Sequence, residues 1–199
     1  IGTPVPAVIG TDYQALCRIA ADRLDMPVIA VKTTGMNNYD TGAEKAYMEL
    51  FRTFTGGASA VSKGTIGVIG AIPLDMTSFD DAALRQKLYD KGWTNVIIYG
   101  SDGIENIKQA AAAERNLVVA PSGLKAAEYL QDKFGTPYET GYPVLSQKWV
   151  DKNYDFDQKK VLIIHQQILA NELRQNICGH SNADVTAATW FMLKKELQQ

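Results

Sequence analysis

In NLVVAPSG, residues 116–123, four apolar residues run as a strand, Pro121 stops it, and Ser122 and Gly123 open the next element. The stretch after it, Gly123 to Phe134, places apolar residues at helical spacing, so the unit reads as strand, tight turn, helix. The same rhythm precedes it: TIGVIGAIP from Thr65, a helix from Asp80 to Lys91, NVIIYG from Asn95, and a helix from Gly103 to Glu114. A last extended piece, Pro137 to Val144, follows. Strands alternating with helices of this length predict an α/β fold. Its parallel strands form a Rossmann-like sheet covered by helices on both faces, with right-handed crossovers.

Working outward toward the N-terminus, VPAVIG (5–10) and MPVIAVKT (26–33) are short β-branched runs. Between them Asp12 can cap a helix whose Leu16, Ile19, Ala20 and Leu24 share a face, which predicts another β-α-β unit. A helix from about Thr41 to Phe54, capped by Asp40 or Thr41, comes next. TGGASAVSKG (55–64) is the clearest linker by its small residues. Toward the C-terminus, KKVLIIHQ, a helix through Ile168 to Cys178, and DVTAATWFM begin a further β-α-β unit. The expected division is residues 1–57 as the end of a first α/β domain, 58–64 as linker, 65–145 as a complete second domain, and 146–199 as a connector and the start of a third. Residues 159–199 would dock on residues 1–57 or be mobile. An opening at Ile1 without Met and an end within a helix-like segment read as a fragment of something longer.

With 199 residues, 46% hydrophobic and 21% charged, the chain can bury a sizeable core. A net charge of -2 with interspersed acids and bases points to neither nucleic acid nor an anionic membrane as partner. Cys17 and Cys178 have no CxxC neighbour, which argues against a disulfide framework and makes the cytoplasm the expected compartment.

In an open parallel sheet, ligands lie beyond the carboxyl ends of the strands, so the residues there are the candidates. Asn37 and Asn38 in the polar loop TTGMNNYDTG could present amides ahead of a helix N-terminus, which favours an anion. Ser101 and Ser122 open helices, where they can cap or meet a ligand. His165 ends a buried-type strand; a strand-end imidazole bonded to backbone is the plainer reading. The pair Cys178 and His180 lacks the two further ligands zinc needs. Gly67 and Gly70 lack the third glycine of a dinucleotide fingerprint, and no P-loop, HExxH or GxSxG pattern occurs.

The order of VIGTDYQALCRIAADRLDMPVIAVKTTGM, the linker, TIGVIGAIPL, NLVVAPSGLKAAEYLQDKFGTPY and KKVLIIHQQILANELRQNI resembles the nitrogenase component 1 family. IGTD, PVI and KFGTPY are the phrases that carry it, over nearly the whole chain. The resemblance implies an oxidoreductase that holds iron-sulfur clusters and a metal cofactor or tetrapyrrole between its domains. Electrons would come from a separate ATP-hydrolysing iron-sulfur protein, and the protein would assemble with itself or with a related subunit. By the same resemblance, Pro4 stands where nitrogenase subunits carry a cluster-ligating cysteine, and Ala120 where the α subunit carries its cofactor cysteine. The expectation is therefore no cofactor on this chain itself, whose Ser101 and Ser122 turns would suit an anionic or tetrapyrrole carboxylate. Catalytic residues stay unassigned. Two alternatives are a non-catalytic scaffold for cofactor assembly in the same family and a two-domain small-molecule binding protein that closes by hinge motion.

Overall fold

A computed structural model describes residues 4–57, 60–76, 80–143 and 154–198. Its centre is a four-stranded sheet of β1 (Ser62–Ile69), β2 (Asn95–Ile98), β3 (Ala113–Val118) and β4 (Tyr138–Thr140), in the order β2-β1-β3-β4 with every neighbouring pair parallel. The expected α/β architecture is present. β1 is central and its last five residues are all buried, because helices lie on both faces.

On one face α4 (Asp81–Asp90) sets Leu84 and Leu88 against Ile66, Val68, Val96 and Ile98. Asp80 starts this helix as its sequence suggests, accepting the Ala82 N–H at 2.9 Å. The other face is covered by α3 (Tyr39–Phe54), α5 (Ile104–Lys108) and α6 (Leu124–Phe134), which bury Phe51, Ile107 and Leu130 with Ile69 and Val118. Phe51 meets Tyr99 edge-to-face, 5.1 Å between ring centres. α3 thus contributes to the core of the 62–143 sheet, although the linker separates them in sequence.

A second, two-stranded parallel sheet pairs β5 (Lys160–Ile164) with β6 (Asp184–Ala188), joined by α7 (Gln167–His180). It rests on the first unit through Ile168, Leu169 and the buried Gln166, whose Nε2 donates to the Val119 carbonyl at 2.9 Å. The chain after β6 docks on α3: Asn38 Nδ2 donates to the Trp190 carbonyl, Asp40 accepts the Met192 N–H, and Lys194 pairs with Glu44. Tyr39 and Phe191 meet edge-to-face.

Three expectations need correction. Residues 5–10 and 26–33 are not strands: α1 (Pro4–Val8) is helical and 27–34 lies outside any regular element. α2 (Tyr13–Arg23) forms between them, with Asp12 accepting the Ala15 N–H at 2.9 Å, but Leu16, Ile19 and Leu24 on its apolar face stay exposed. A β-branched run becomes a strand only when a neighbour takes its backbone N–H and C=O groups. No described strand lies beside either run. The helix expected to Glu114 ends at Lys108, since Ala113 to Arg115 pair in β3 instead. Helix starts also differ. Neither Asp40 nor Thr41 caps α3, whose preceding residue is Asn38, and neither Ser101 nor Asp102 caps α5. The carboxylate of Asp102 accepts the Ile98 N–H and pairs with Arg85.

Candidate functional site

The carboxyl ends of β1 and β3 form a mouth closed by backbone. Gly70 ends β1 at φ +93°, a conformation that L side chains rarely adopt, and a Cβ there would stand 3.0 Å from Ala120 N and 3.3 Å from Ala120 Cβ. Ala120 is fully buried. On the other side Gly123 sits so close to Ile69 that a Cβ would approach its carbonyl oxygen to 2.8 Å. The two turns are pressed together. Any substituent larger than hydrogen at either glycine would prise them apart.

Below this contact lies a carboxylate. Asp75, in the segment after β1, is only 1% exposed, and its two oxygens accept from different elements. Tyr39 Oη, at the start of α3, donates to Oδ1; Ser122 Oγ, in the turn Pro121–Gly123, donates to Oδ2 at 3.3 Å. Burial raises the Asp75 pKa against the lowering effect of these two donors, with Asp40 adding like-charge repulsion. Burial and the carboxylate together also hold the Tyr39 phenol well above its ordinary range, so it keeps its proton. The arrangement is an acid more willing than usual to hold a proton, linked through a phenol to the loop of residues 33–38.

That loop shapes a concavity of about 300 Å³ lined by Thr33, Thr34, Asn37, Asn38, Tyr39 and Lys45, with no carboxylate among its lining residues. Asn37 and Asn38 are both exposed there, as candidate amides should be, although Asn38 Nδ2 already donates to Trp190 O at 3.3 Å. Lys45 reaches across α3 to the Lys32 carbonyl.

Of the residues singled out by sequence, the structure gathers Asn37, Asn38 and Ser122 around Tyr39 and Asp75. It does not bring Ser101 there by any hydrogen bond: Ser101 lies exposed in the turn after β2, its N–H donating to Ile98 O. Ser122 is fully buried with its hydroxyl engaged by Asp75. His165 is half-buried at the end of β5, where its N–H donates to Ala188 O and Nδ1 accepts the Gln166 N–H; desolvation lowers its pKa. Sequence reasoning missed Asp75 and Tyr39. An acid inside IPLDM, among apolar residues, was the available signal.

The residues of the mouth do not fit a nitrogenase-type iron cofactor. Where the resemblance places a thiolate stands the buried methyl of Ala120, and the Asp75 carboxyl and the Tyr39 and Ser122 hydroxyls are already bonded together. Cys17 lies on α2 and Cys178, exposed, on α7; both are free thiols. Among the described residues no group of three or more His, Cys, Asp and Glu is gathered to hold a metal ion, and no helix is long and apolar enough to cross a membrane.

Comparison with known proteins bears on the whole assembly. Solved structures described as "Nitrogenase Cp1 at pH 6.5" and "Nitrogenase Cp1 at pH 5" superpose with TM-scores of 0.66 and 0.65 at 13% and 16% identity. They cover 96% and 94% of this chain but only 53% and 45% of theirs, so it spans about half the length of the structures it resembles. At such identity the likeness establishes the fold. No curated protein matches the sequence. The model of the family described as nitrogenase component 1 type oxidoreductase matches residues 1–145, more than two thirds of the chain, and to that family the chain belongs.

Proposed function

We propose that the chain is part of a component 1 type oxidoreductase whose electrons arrive from a separate, ATP-hydrolysing iron-sulfur protein, and whose substrate meets the sheet mouth formed by β1 and β3. The observation that carries this reading is the mouth itself. Within the segment matched by the family, two glycine turns are locked together over a buried carboxylate, in the place where open parallel sheets hold ligands. The reading takes residues 1–57 as the end of a first α/β domain, 65–145 as a second, and 146–199 as a connector and the start of a third, with α3 packed across the boundary on the central sheet and the linker shortened by β1, which begins at Ser62, in a cytoplasmic protein that pairs with itself or a related subunit. Iron-sulfur or metal and tetrapyrrole groups would be held by other parts of the assembly. Asn37, Asn38 and Lys45 offer donors to an anionic ligand outside the mouth, while Ser122 orients Asp75 from within. Reduction consumes protons, and the Tyr39–Asp75 pair beside the mouth is able to hold one.

The test uses the polypeptide that carries this chain, purified without oxygen and mixed with a component 2 type iron-sulfur protein and MgATP. Oxidation of the partner's cluster that requires both the polypeptide and ATP supports the proposal. Partner oxidation at the same rate with the polypeptide omitted overturns it. A second reading is favoured by Ala120: a scaffold on which a cofactor is assembled must release it, and a mouth without a thiolate binds iron weakly. Complex formation with the ATP-dependent partner but no electron transfer would point there.

A further inference from the structure

We propose that residues 189–193 form a flap, fixed at both ends to the β5-α7-β6 unit and detachable from α3, whose release opens the Tyr39–Asp75 pair. The gating role rests on the reading of that pair as the proton-holding group beside the mouth; the motion does not. These five residues belong to no regular element. At one end they leave β6, where Ala188 O accepts the His165 N–H at 3.3 Å. At the other, Gln167 of α7 grips both backbone groups of Lys194, Nε2 donating to O at 2.9 Å and Oε1 accepting the N–H at 2.8 Å. Asn171 Nδ2 secures the turn beyond, donating to Leu197 O at 2.7 Å, and Leu197 is buried in the apolar cluster that also holds Ile168 of α7. Both hinges are therefore firm.

Between the hinges the hold on α3 is polar and thin. Asn38 Nδ2 donates to Trp190 O at 3.3 Å, Asp40 Oδ2 accepts the Met192 N–H, and the Phe191 ring meets Tyr39 edge-on at 5.7 Å. Trp190 and Leu193 stay 66% and 61% exposed, so little apolar burial presses the flap down. The α3 side can also let go without stranding a charge. When Met192 leaves, Asp40 keeps the Thr41 N–H on Oδ1 at 2.8 Å. If the Lys194 ammonium at the hinge leaves Glu44 Oε2, Glu44 keeps Lys125 on Oε1 at 2.8 Å. The penalty that makes a buried pair hard to break, a charge left without a partner, is thus avoided at both carboxylates. Release lifts Phe191 from the Tyr39 ring and lets solvent reach the phenol that covers Asp75. A short segment held at its ends and free to part in the middle is a lid over the pair.

The polypeptide that carries this chain is compared with its K194M and N38A variants by amide hydrogen exchange and by tyrosine nitration with tetranitromethane, mapped by residue. In the wild type the Met192 amide should exchange through an opening smaller than the one that releases the Lys194 amide or that of the buried Val118 in β3. K194M should speed exchange at Met192 by about tenfold, the scale of one lost charge-assisted contact, and raise Tyr39 nitration in step. The amides of residues 194 and 118 and the nitration of Tyr99 should not change. N38A should act in the same direction by a few-fold, and serves alone if K194M does not fold. Exchange of Met192 only together with Val118, equal acceleration at residue 194, or no change at Met192 in the folded variants would overturn the flap. Faster exchange at Met192 with Tyr39 nitration unchanged would overturn its gating role. Failure of the ATP-dependent partner to deliver electrons, with these results intact, would count against the redox reading instead.

Discussion

Residues 4–36 and residues 62–143 are written in the same alphabet of β-branched runs, glycine turns and amphipathic helices, yet only the second folds into a sheet. In the second, β1 has partners on both sides and helices on both faces. In the first, Val5, Val8, Ile9, Met26 and Met36 are exposed together with the apolar face of α2. The difference lies in neighbours rather than propensity. A parallel strand cannot close its own hydrogen bonds, whereas a capped helix can, which is why α2 forms where the two flanking runs do not.

The comparison can be broken most forcefully in the core. Phe51→Ala removes a fully buried ring packed on Tyr99 and should cost about 3–5 kcal/mol in urea denaturation. Ile19→Ala on α2 should stay within about 0.5 kcal/mol. Equal losses would mean that α2 is packed as firmly as the sheet.

Gly67→Ala should follow at about 1–3 kcal/mol, the scale of overpacking. Its new methyl would stand 2.4 Å from both Asn116 Oδ1 and Tyr99 Cε2, in a part of the core with no room to yield. A neutral result, read from the same denaturation curves, would show that the Tyr99 and Asn116 side chains against β1 shift more easily than their burial implies.

Helix caps sharpen the contrast at lower energy. Asp80→Ala and Asp12→Ala each remove a carboxylate that accepts a helix N–H at 2.9 Å. The first should lower global stability by about 1 kcal/mol, since α4 covers the sheet. The second should fray α2 locally, visible as faster amide exchange over 13–23, with little movement of the global midpoint.

The smallest effect concerns pH. Burial raises the Asp75 pKa above its unfolded value near 3.8, so the folded state favours the neutral carboxyl. Its favourable contribution is fully present below the unfolded pKa and is lost as pH rises from there through the raised folded pKa. Asp75→Asn keeps an acceptor for Tyr39 and should flatten the stability curve over that window. A curve parallel to wild type would contradict the assignment.

Most of the sheet was legible because its strands are short apolar runs stopped by Gly or Pro, as in NVIIYG and NLVVAP, and each has a partner within the chain. VPAVIG and MPVIAVKT look equally strand-like, since composition reports a preference and not a neighbour. Ala113 and Glu114 read as helix because alanine favours it, but the pairing of β3 with β1 claimed them. At the candidate site, Asn37 and Asn38 were visible as amides in a polar loop ahead of a helix, and Ser122 by its place after β3. Asp75 was not, because its partners Tyr39 and Ser122 lie 36 and 47 residues away and only the fold brings them together. Ser122 looked like a cap for the same reason: its true acceptor is distant in sequence.

The two regions share one chemical feature. Pro4 stands in the first and Ala120 in the second where resemblance to nitrogenase places iron-binding cysteines, and neither side chain can coordinate iron. Anaerobic reconstitution of the 199-residue chain with iron and sulfide, read by visible absorption, tests this directly. The predicted result is a chain that stays colourless above the protein band. A stoichiometric iron-sulfur chromophore that disappears in Cys17→Ala or Cys178→Ala would contradict it and move the redox centre onto this chain.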